Sequence, residues 1–280
     1  MALGKNLIYR ILTGIVFVLT LLGSILYNQH SFALVLCIVE VLALFEFYNL
    51  IGKSQGIKIN KPANALGGIL IFGASFIFFS GKEQSLVPFL PYLLYVLVLF
   101  ISQLYSKKSN PILSLAYSIF GQVYIALPFS LLNYLAYNGS LDGSYHYSFL
   151  LSLFVIIWIN DSFAYVFGVT FGKHKLFERI SPKKSWEGFI GGAACTVLSS
   201  FVFSHYFDIL PLAGWIGFSI IVVTFGTFGD LIESLLKRTL KVKDSGNILP
   251  GHGGILDRFD SMIFTIPALV IYIELINYFR

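Results

Sequence analysis

The chain has 280 residues, of which 56% are hydrophobic and 12% charged, with a mean hydropathy of +0.80; soluble domains run at about 25% charged. Its formal net charge of +5 resides in short loops between apolar runs, which argues against nucleic acid and for anionic lipid headgroups as partners. Two cysteines, Cys37 and Cys195, lie in different apolar runs without ligand spacing and read as small apolar residues rather than a disulfide or a zinc site.

A bilayer core takes roughly 20 apolar residues per helix. In chain order the spans predicted on that basis are about 7–27, 32–51, 64–80, 87–105, 112–137, 148–168, 188–206, 210–228 and 254–279. The runs are continuous rather than alternating, so barrel strands are not expected. The fold class is therefore all-α, a polytopic integral membrane protein of about nine transmembrane helices. The first run, Ile11 to Tyr27, exceeds a signal-peptide core and lacks a small-x-small cleavage site, so it reads as a retained helix.

The basic residues set the orientation. They fall at the N-terminus (Lys5, Arg10) and then on every second connection. These carry Lys53, Lys58 and Lys61; Lys107 and Lys108; Lys173, Lys175, Arg179, Lys183 and Lys184; and Lys237, Arg238, Lys241, Lys243 and Arg258. Of the 19 Lys and Arg, only Lys82 and Arg280 fall on the other side. By the positive-inside rule the N-terminus is cytoplasmic and the C-terminus outside.

Charge also collects where an apolar chain can least accommodate it. Between the last two spans, Ser234 to Asp260 bring Lys237, Arg238, Lys241, Lys243 and Arg258 together with Asp244, Asp257 and Asp260. Such a cluster persists in lipid only where water, metal or a charged substrate compensates it. The predicted topology carries Asp161 on the sixth helix, Asp230 on the eighth, and Asp257 and Asp260 on the ninth to one depth near the cytoplasmic face. Asp257 and Asp260, three apart, share a helical face, and Ser234 can point with Asp230 if the eighth helix continues through both. Converging carboxylate and hydroxyl oxygens suit a hard cation such as Mg2+. Asp257 also has a structural reading, as a partner of Arg258 or of the helix dipole. Glu40, near mid-bilayer, needs a partner, for which Arg10 is a candidate, and Glu233 is expected to face away from Ser234.

The sixth connection runs from Gly168 to Gly192. Ser181-Pro182 breaks the chain before Lys183, Lys184 and Ser185, and two lysines beside a hydroxyl and a fresh helix N-terminus make a phosphate cradle. Lysines at an inner membrane edge also serve topology alone. Gly188 and Gly192 form a small-xxx-small pair suited to close helix packing. Gly251, Gly253 and Gly254 surround His252, which either donates to a phosphate or orients the turn.

The run S-L-L-K-R-(four residues)-K-D-S-G-N-I-L-P-G-H-G-G-I-L-D-R-F-D from Ser234 resembles, without a gap, the signature of the phosphatidate cytidylyltransferase family. The D-S-F-A-Y-V-F-G segment from Asp161 and the S-P-K-K-S-W-E-G segment from Ser181 resemble that family's other landmarks. The likeness is strong over about residues 155–260 and only compositional before them. It implies transfer of CMP from CTP to phosphatidic acid, giving CDP-diacylglycerol and pyrophosphate, with Mg2+ as cofactor (two divalent ions, or one with a monovalent cation). It also implies a homodimer in a membrane, the bacterial plasma membrane for a bacterial source, with the site facing the cytoplasm. On this reading Asp230, Asp257 and Asp260 hold the metal, with Ser234 and Lys184 beside them in catalysis. Substrate contacts fall to Asp161, Lys183, Ser185, Lys237, Arg238, Lys243, His252 and Arg258, Asp161 serving either a cation or a base edge. Residues 1–145 then form an N-terminal set of about five helices, and 146–280 a catalytic region with cytoplasmic loops 169–187 and 229–253. Relatives carry a basic residue after the glycine matching Gly168, where this chain has Val169, and Lys173 offers a replacement. A transporter with intramembrane carboxylates, or a synthase acting on another polar lipid, are the competing readings.

Overall fold

Residues 2–81, 85–107, 110–138, 144–246, 248 and 253–279 are described in a computed structural model of the chain, residues 2–11 by backbone alone. Ten helices follow in order: α1 Ala2–Tyr27, α2 Gln29–Gln55, α3 Lys61–Phe79, α4 Leu90–Leu104, α5 Pro111–Gly121, α6 Leu127–Tyr137, α7 Ser148–Phe171, α8 Trp186–Tyr206, α9 Leu212–Thr239 and α10 Leu256–Phe279. A π turn over Gln122–Ala126 joins α5 to α6 into one continuous span, Pro111–Tyr137. Among the described residues eight helices are long and apolar enough to cross a membrane, and Leu12–Tyr27 of α1 adds a shorter apolar stretch. The protein is an all-α polytopic membrane protein.

Local chemistry explains where the helices begin. Asn28 caps α2 by accepting from the His30 and Ser31 amides, and Ser31 returns a bond to the Asn28 amide. Asn60 and Asn110 cap α3 and α5, each with proline in the first turn, where its missing N–H costs nothing. Gly56 closes α2 at φ +66°. Large apolar side chains line the outside, including Leu93, Leu97 and Ile101 of α4 and Leu198 and Val202 of α8. A soluble protein would not tolerate so continuous an apolar exterior. Inside, Phe47, Phe129, Phe154, Trp215 and Phe259 are fully buried.

Polar side chains hold the first half together. Asn64 of α3 donates to Ser118 Oγ at 3.2 Å and accepts from Tyr95 at 2.8 Å, while Asn133 donates to Ser75 Oγ at 2.8 Å. In hydrocarbon such bonds link helices that have no hydrophobic force between them. Glu40 is buried against Gly68 of α3, and its carboxylate has no hydrogen-bond partner among the described residues. The proposed partner Arg10 has no described side chain.

Two boundaries move from their sequence positions, and both matter to the site. The expected loop over 229–253 is helical as far as Thr239, because Asp230, Glu233, Ser234 and Lys237 find partners within the fold. Hydropathy alone ends a helix where charges begin. The loop expected over 169–187 contains the last turn of α7 and a two-stranded antiparallel hairpin, β1 Lys175–Phe177 and β2 Ser181–Ser185, with Lys175 opposite Ser185. Ser185 then caps α8, accepting from the Gly188 amide. Gly188 and Gly192 do pack closely: a Cβ on Gly188 would stand 2.7 Å from the Ala164 carbonyl, so α7 and α8 approach nearly backbone to backbone.

Candidate active site

The C-terminal end of α7, the hairpin, the N-terminal end of α8 and the C-terminal half of α9 enclose a cleft of about 620 Å3. Asp161 projects into it from α7, Asp230 from α9, and Lys183, Lys184 and Ser185 from β2. With a rise of 1.5 Å per residue, Asp161 and Asp230 each sit roughly 15 Å back from the end of their own helix. Both acids thus lie in the C-terminal halves of their helices, set back from the helix ends.

The hairpin turns at residues 178–180, where the Ile180 amide donates to the Phe177 carbonyl at 3.2 Å, and β2 then leads the chain into α8. Its other anchor is Glu187, in the first turn of α8, which accepts from the Lys173 and His174 amides and lies 2.6 Å from His174 Nδ1. Lys184 reaches down from β2 to within 2.5 Å of Asp230 Oδ2. The other oxygen of Asp230 accepts from Ser234, one turn on, at 3.2 Å. Lys184, from the S-P-K-K-S-W-E-G segment, and the α9 acid four residues before the signature run thus meet directly. Lys175 also lines the cleft, while Lys173, the expected substitute for a basic residue at Val169, does not.

α9 and α10 cross tightly at Gly229, where a Cβ would stand 2.5 Å from the Asp260 carbonyl oxygen. This crossing sets Asp260 beside Asp230, and the charges of both Asp230 and Asp161 act on it. Asp260 Oδ1 accepts from the Ser261 amide at 2.7 Å. Arg258, exposed on the next face of α10, exerts its charge on Asp161.

Asp257 behaves differently from Asp260. Its carboxylate accepts from Lys237 Nζ at 2.7 Å, from the Gly254 amide at 2.9 Å and from the Ser245 amide at 3.1 Å. Lys237, expected at a phosphate, is instead held between Asp257 and Glu233, with Glu233 Oε1 at 3.1 Å. A spacing of three gives Asp257 and Asp260 a common general direction on α10. Yet the first-turn acid bends back to the loop amides, close to the helix-terminus alternative, and the second faces α9. Glu233, expected to point away, is fully buried in this knot. Its i, i+4 relation to Lys237 was the available signal. Arg238 and Lys243 are exposed and do not line the cleft, and His252 lies outside the described residues.

Among the described residues no three His, Cys, Asp or Glu side chains are close enough to enclose a metal ion. The donor set of Asp161, Asp230 and Asp260 is all carboxylate oxygen. It fits an ion that takes one or two protein carboxylates and completes its shell with water and substrate phosphate, as Mg2+ does.

Acids and lysines facing one another across a cleft among membrane helices define the class as an integral membrane protein with a charged internal site. The model of the cytidylyltransferase family matches residues 8–276, and the chain belongs to that family. It is 34% identical over 262 residues to the phosphatidate cytidylyltransferase of Staphylococcus haemolyticus, covering 93% of this chain and 96% of that one. It is 42% identical over 166 residues to the protein of that name from Staphylococcus aureus, covering 59% and 61% of the two chains. Against its Staphylococcus epidermidis counterpart, identity is 50% over 123 residues, covering 43% and 47%.

Proposed function

We propose that this chain is a phosphatidate cytidylyltransferase, joining CTP and phosphatidic acid into CDP-diacylglycerol and pyrophosphate. The observation that carries the reading is the contact of Lys184 with Asp230 inside a cleft that Asp161 also lines. An anionic nucleotide needs the lysines, and the cation that accompanies it needs the acids. A phosphate oxygen of the lipid attacks the α-phosphorus of CTP, and the bond to the bridging oxygen breaks as pyrophosphate departs. No general base is required, since that phosphate is already ionised near neutral pH.

Asp230 and Asp260 hold Mg2+ in this proposal, with Asp161 at the side and Ser234 fixing the Asp230 carboxylate. When bound, the ion offsets the repulsion between two polyanions and the charge gathering on the leaving group. Lys183, Lys184 and Ser185 take the phosphates, with Lys175 added to them. Lys184 and Asp230 have side chains 28% and 31% exposed, and a pair this wet is worth about 1 kcal/mol or less. Lys184 can therefore leave the acid for a phosphate at little cost. Asp257 and Lys237 support the site by fixing the loop that enters α10. Arg238, Lys243, His252 and Arg258 are assigned to the headgroup and the approach to the cleft.

The positive-inside distribution supports an N-terminus and a cleft on the cytoplasmic side, where CTP is found, with the C-terminus outside. The enzyme acts as a homodimer in the bacterial plasma membrane. The test is incorporation of labelled CTP into lipid by purified protein, with and without a chelator. Incorporation that prefers another acceptor over phosphatidic acid points to a different synthase. Accumulation of a solute in proteoliposomes without pyrophosphate release would favour transport, a reading at odds with acids gathered at one end of the bundle.

A further inference from the structure

Glu46 belongs to α2, in the half of the chain that carries none of the signature residues, and it is 3% exposed. Its Oε2 accepts from the backbone N–H of Leu256, the first residue of α10, at 2.8 Å. Helix starts leave such amides without internal partners, and a carboxylate there also meets the positive end of the helix dipole. Described residues of the signature on both sides of the turn into α10 close on this side chain. A Cβ on Gly246 would stand 1.7 Å from Glu46 Oε1, and a Cβ on Gly254 would stand 2.4 Å from the same oxygen. Ser245 Oγ lies at the same spot, 2.0 Å from the Gly254 Cβ position. Two glycines of the signature are thus seats for an acid that arrives from the opposite end of the sequence. Ser245 and Gly254, on either side of that seat, also supply the amides that grip Asp257.

We propose that Glu46 is a positioning residue for the reaction: by capping α10 and filling the pocket between Gly246 and Gly254, it fixes how α10 presents Asp260 to Asp230. This rests on the reading that those acids hold the divalent ion. Removal of the carboxylate leaves the Leu256 amide buried without a partner and lets the loop sag into the vacated space. The turn carrying Asp257 and Asp260 then loses its register against α9.

The full-length protein in detergent tests this with Mn2+ as probe and no substrate present, free Mn2+ being counted by its paramagnetic resonance. Glu46→Ala weakens Mn2+ binding about tenfold, the usual scale for residues that orient metal ligands. Glu46→Gln, which keeps an acceptor for Leu256, restores most of the affinity. Glu46→Asp, whose carboxylate is withdrawn by one methylene, is intermediate. The steric seat is tested separately by thermal unfolding: Gly246→Ala lowers the midpoint sharply in the parent and far less in the Glu46→Ala background. Unchanged Mn2+ binding in Glu46→Asp, or in Glu46→Ala where that variant is recovered, overturns the assignment. So does equal damage by Gly246→Ala in both backgrounds. A protein that shows both effects yet makes no CDP-diacylglycerol sinks the proposed reaction and leaves the role of Glu46 standing.

Discussion

Lys184 and Asp230 are 2.5 Å apart, one on a hairpin strand before α8 and the other inside α9. That contact joins two polar segments that the hydrophobic pattern keeps in separate loops. Replacing Lys184 by Met removes both the partner of Asp230 and one phosphate ligand. We expect kcat/KM for CTP to fall at least about a hundredfold, as for loss of one preorganised electrostatic contact. Lys184→Arg should recover only part of it, because the planar guanidinium cannot take the same single-point contact. Steady-state assays over a CTP series give the answer.

Asp260 and Asp257 should separate by phenotype. Asp260→Asn abolishes turnover and leaves thermal stability unchanged or raised, since it relieves repulsion among Asp161, Asp230 and Asp260. Asp257→Ala also loses activity but costs about 3 kcal/mol of stability, because it removes one of the two carboxylates that hold Lys237 and strands two loop amides. Melting curves of the two purified variants decide the matter; matching stabilities would rule out a loop-anchoring Asp257.

The Glu233–Lys237–Asp257 knot predicts strong non-additivity. Lys237→Met leaves two buried carboxylates unpaired and destabilises by several kcal/mol. Adding Glu233→Gln should return a good part of that loss. If the loss in the double variant equals the sum of the losses in the two single variants, the three residues do not act as a unit.

Gly229→Ala tests the α9–α10 crossing. Its methyl group meets the Asp260 carbonyl at 2.5 Å, and that neighbour is backbone, which cannot swing aside. The helices must part, which should cost about 1–3 kcal/mol and separate Asp230 from Asp260. Lost activity with a raised Mg2+ requirement is the expected outcome, read from Mg2+ titrations of turnover.

Chelation should stop the reaction without unfolding the protein. Asp230 has Lys184 and Ser234 as partners, and Asp260 has the Ser261 amide, without any ion, so a bound divalent ion contributes to catalysis far more than to folding. EDTA is expected to abolish CDP-diacylglycerol formation, to shift the melting temperature by no more than a few degrees, and to be reversed by Mg2+. A collapse of the melting transition in EDTA would mean that the ion is structural.

Composition and run length were enough to settle the bundle: among the described residues eight of the nine apolar stretches appear as helices long enough to span and the first as a shorter one, because in hydrocarbon a continuous apolar run satisfies its backbone bonds only as a helix. The spacing of four between Asp230 and Ser234 likewise became a hydrogen bond, since geometry within one helix is local. What lay beyond the sequence depended on which face of each helix meets which neighbour. Spacing put Asp257 with Asp260, but tertiary packing turned one toward Lys237 and the loop and the other toward α9. Lys237 passed from the phosphate side to the interior, Lys175 entered the cleft in place of Lys173, and Glu46 crossed from the first half of the chain to cap α10. Hydropathy is a sum over neighbours along the chain and reports how deep a residue lies. The pairing of charges depends on rotation and approach between helices, and those are fixed only when the small residues at Gly188, Gly229 and Gly246 let distant backbones and side chains close to contact.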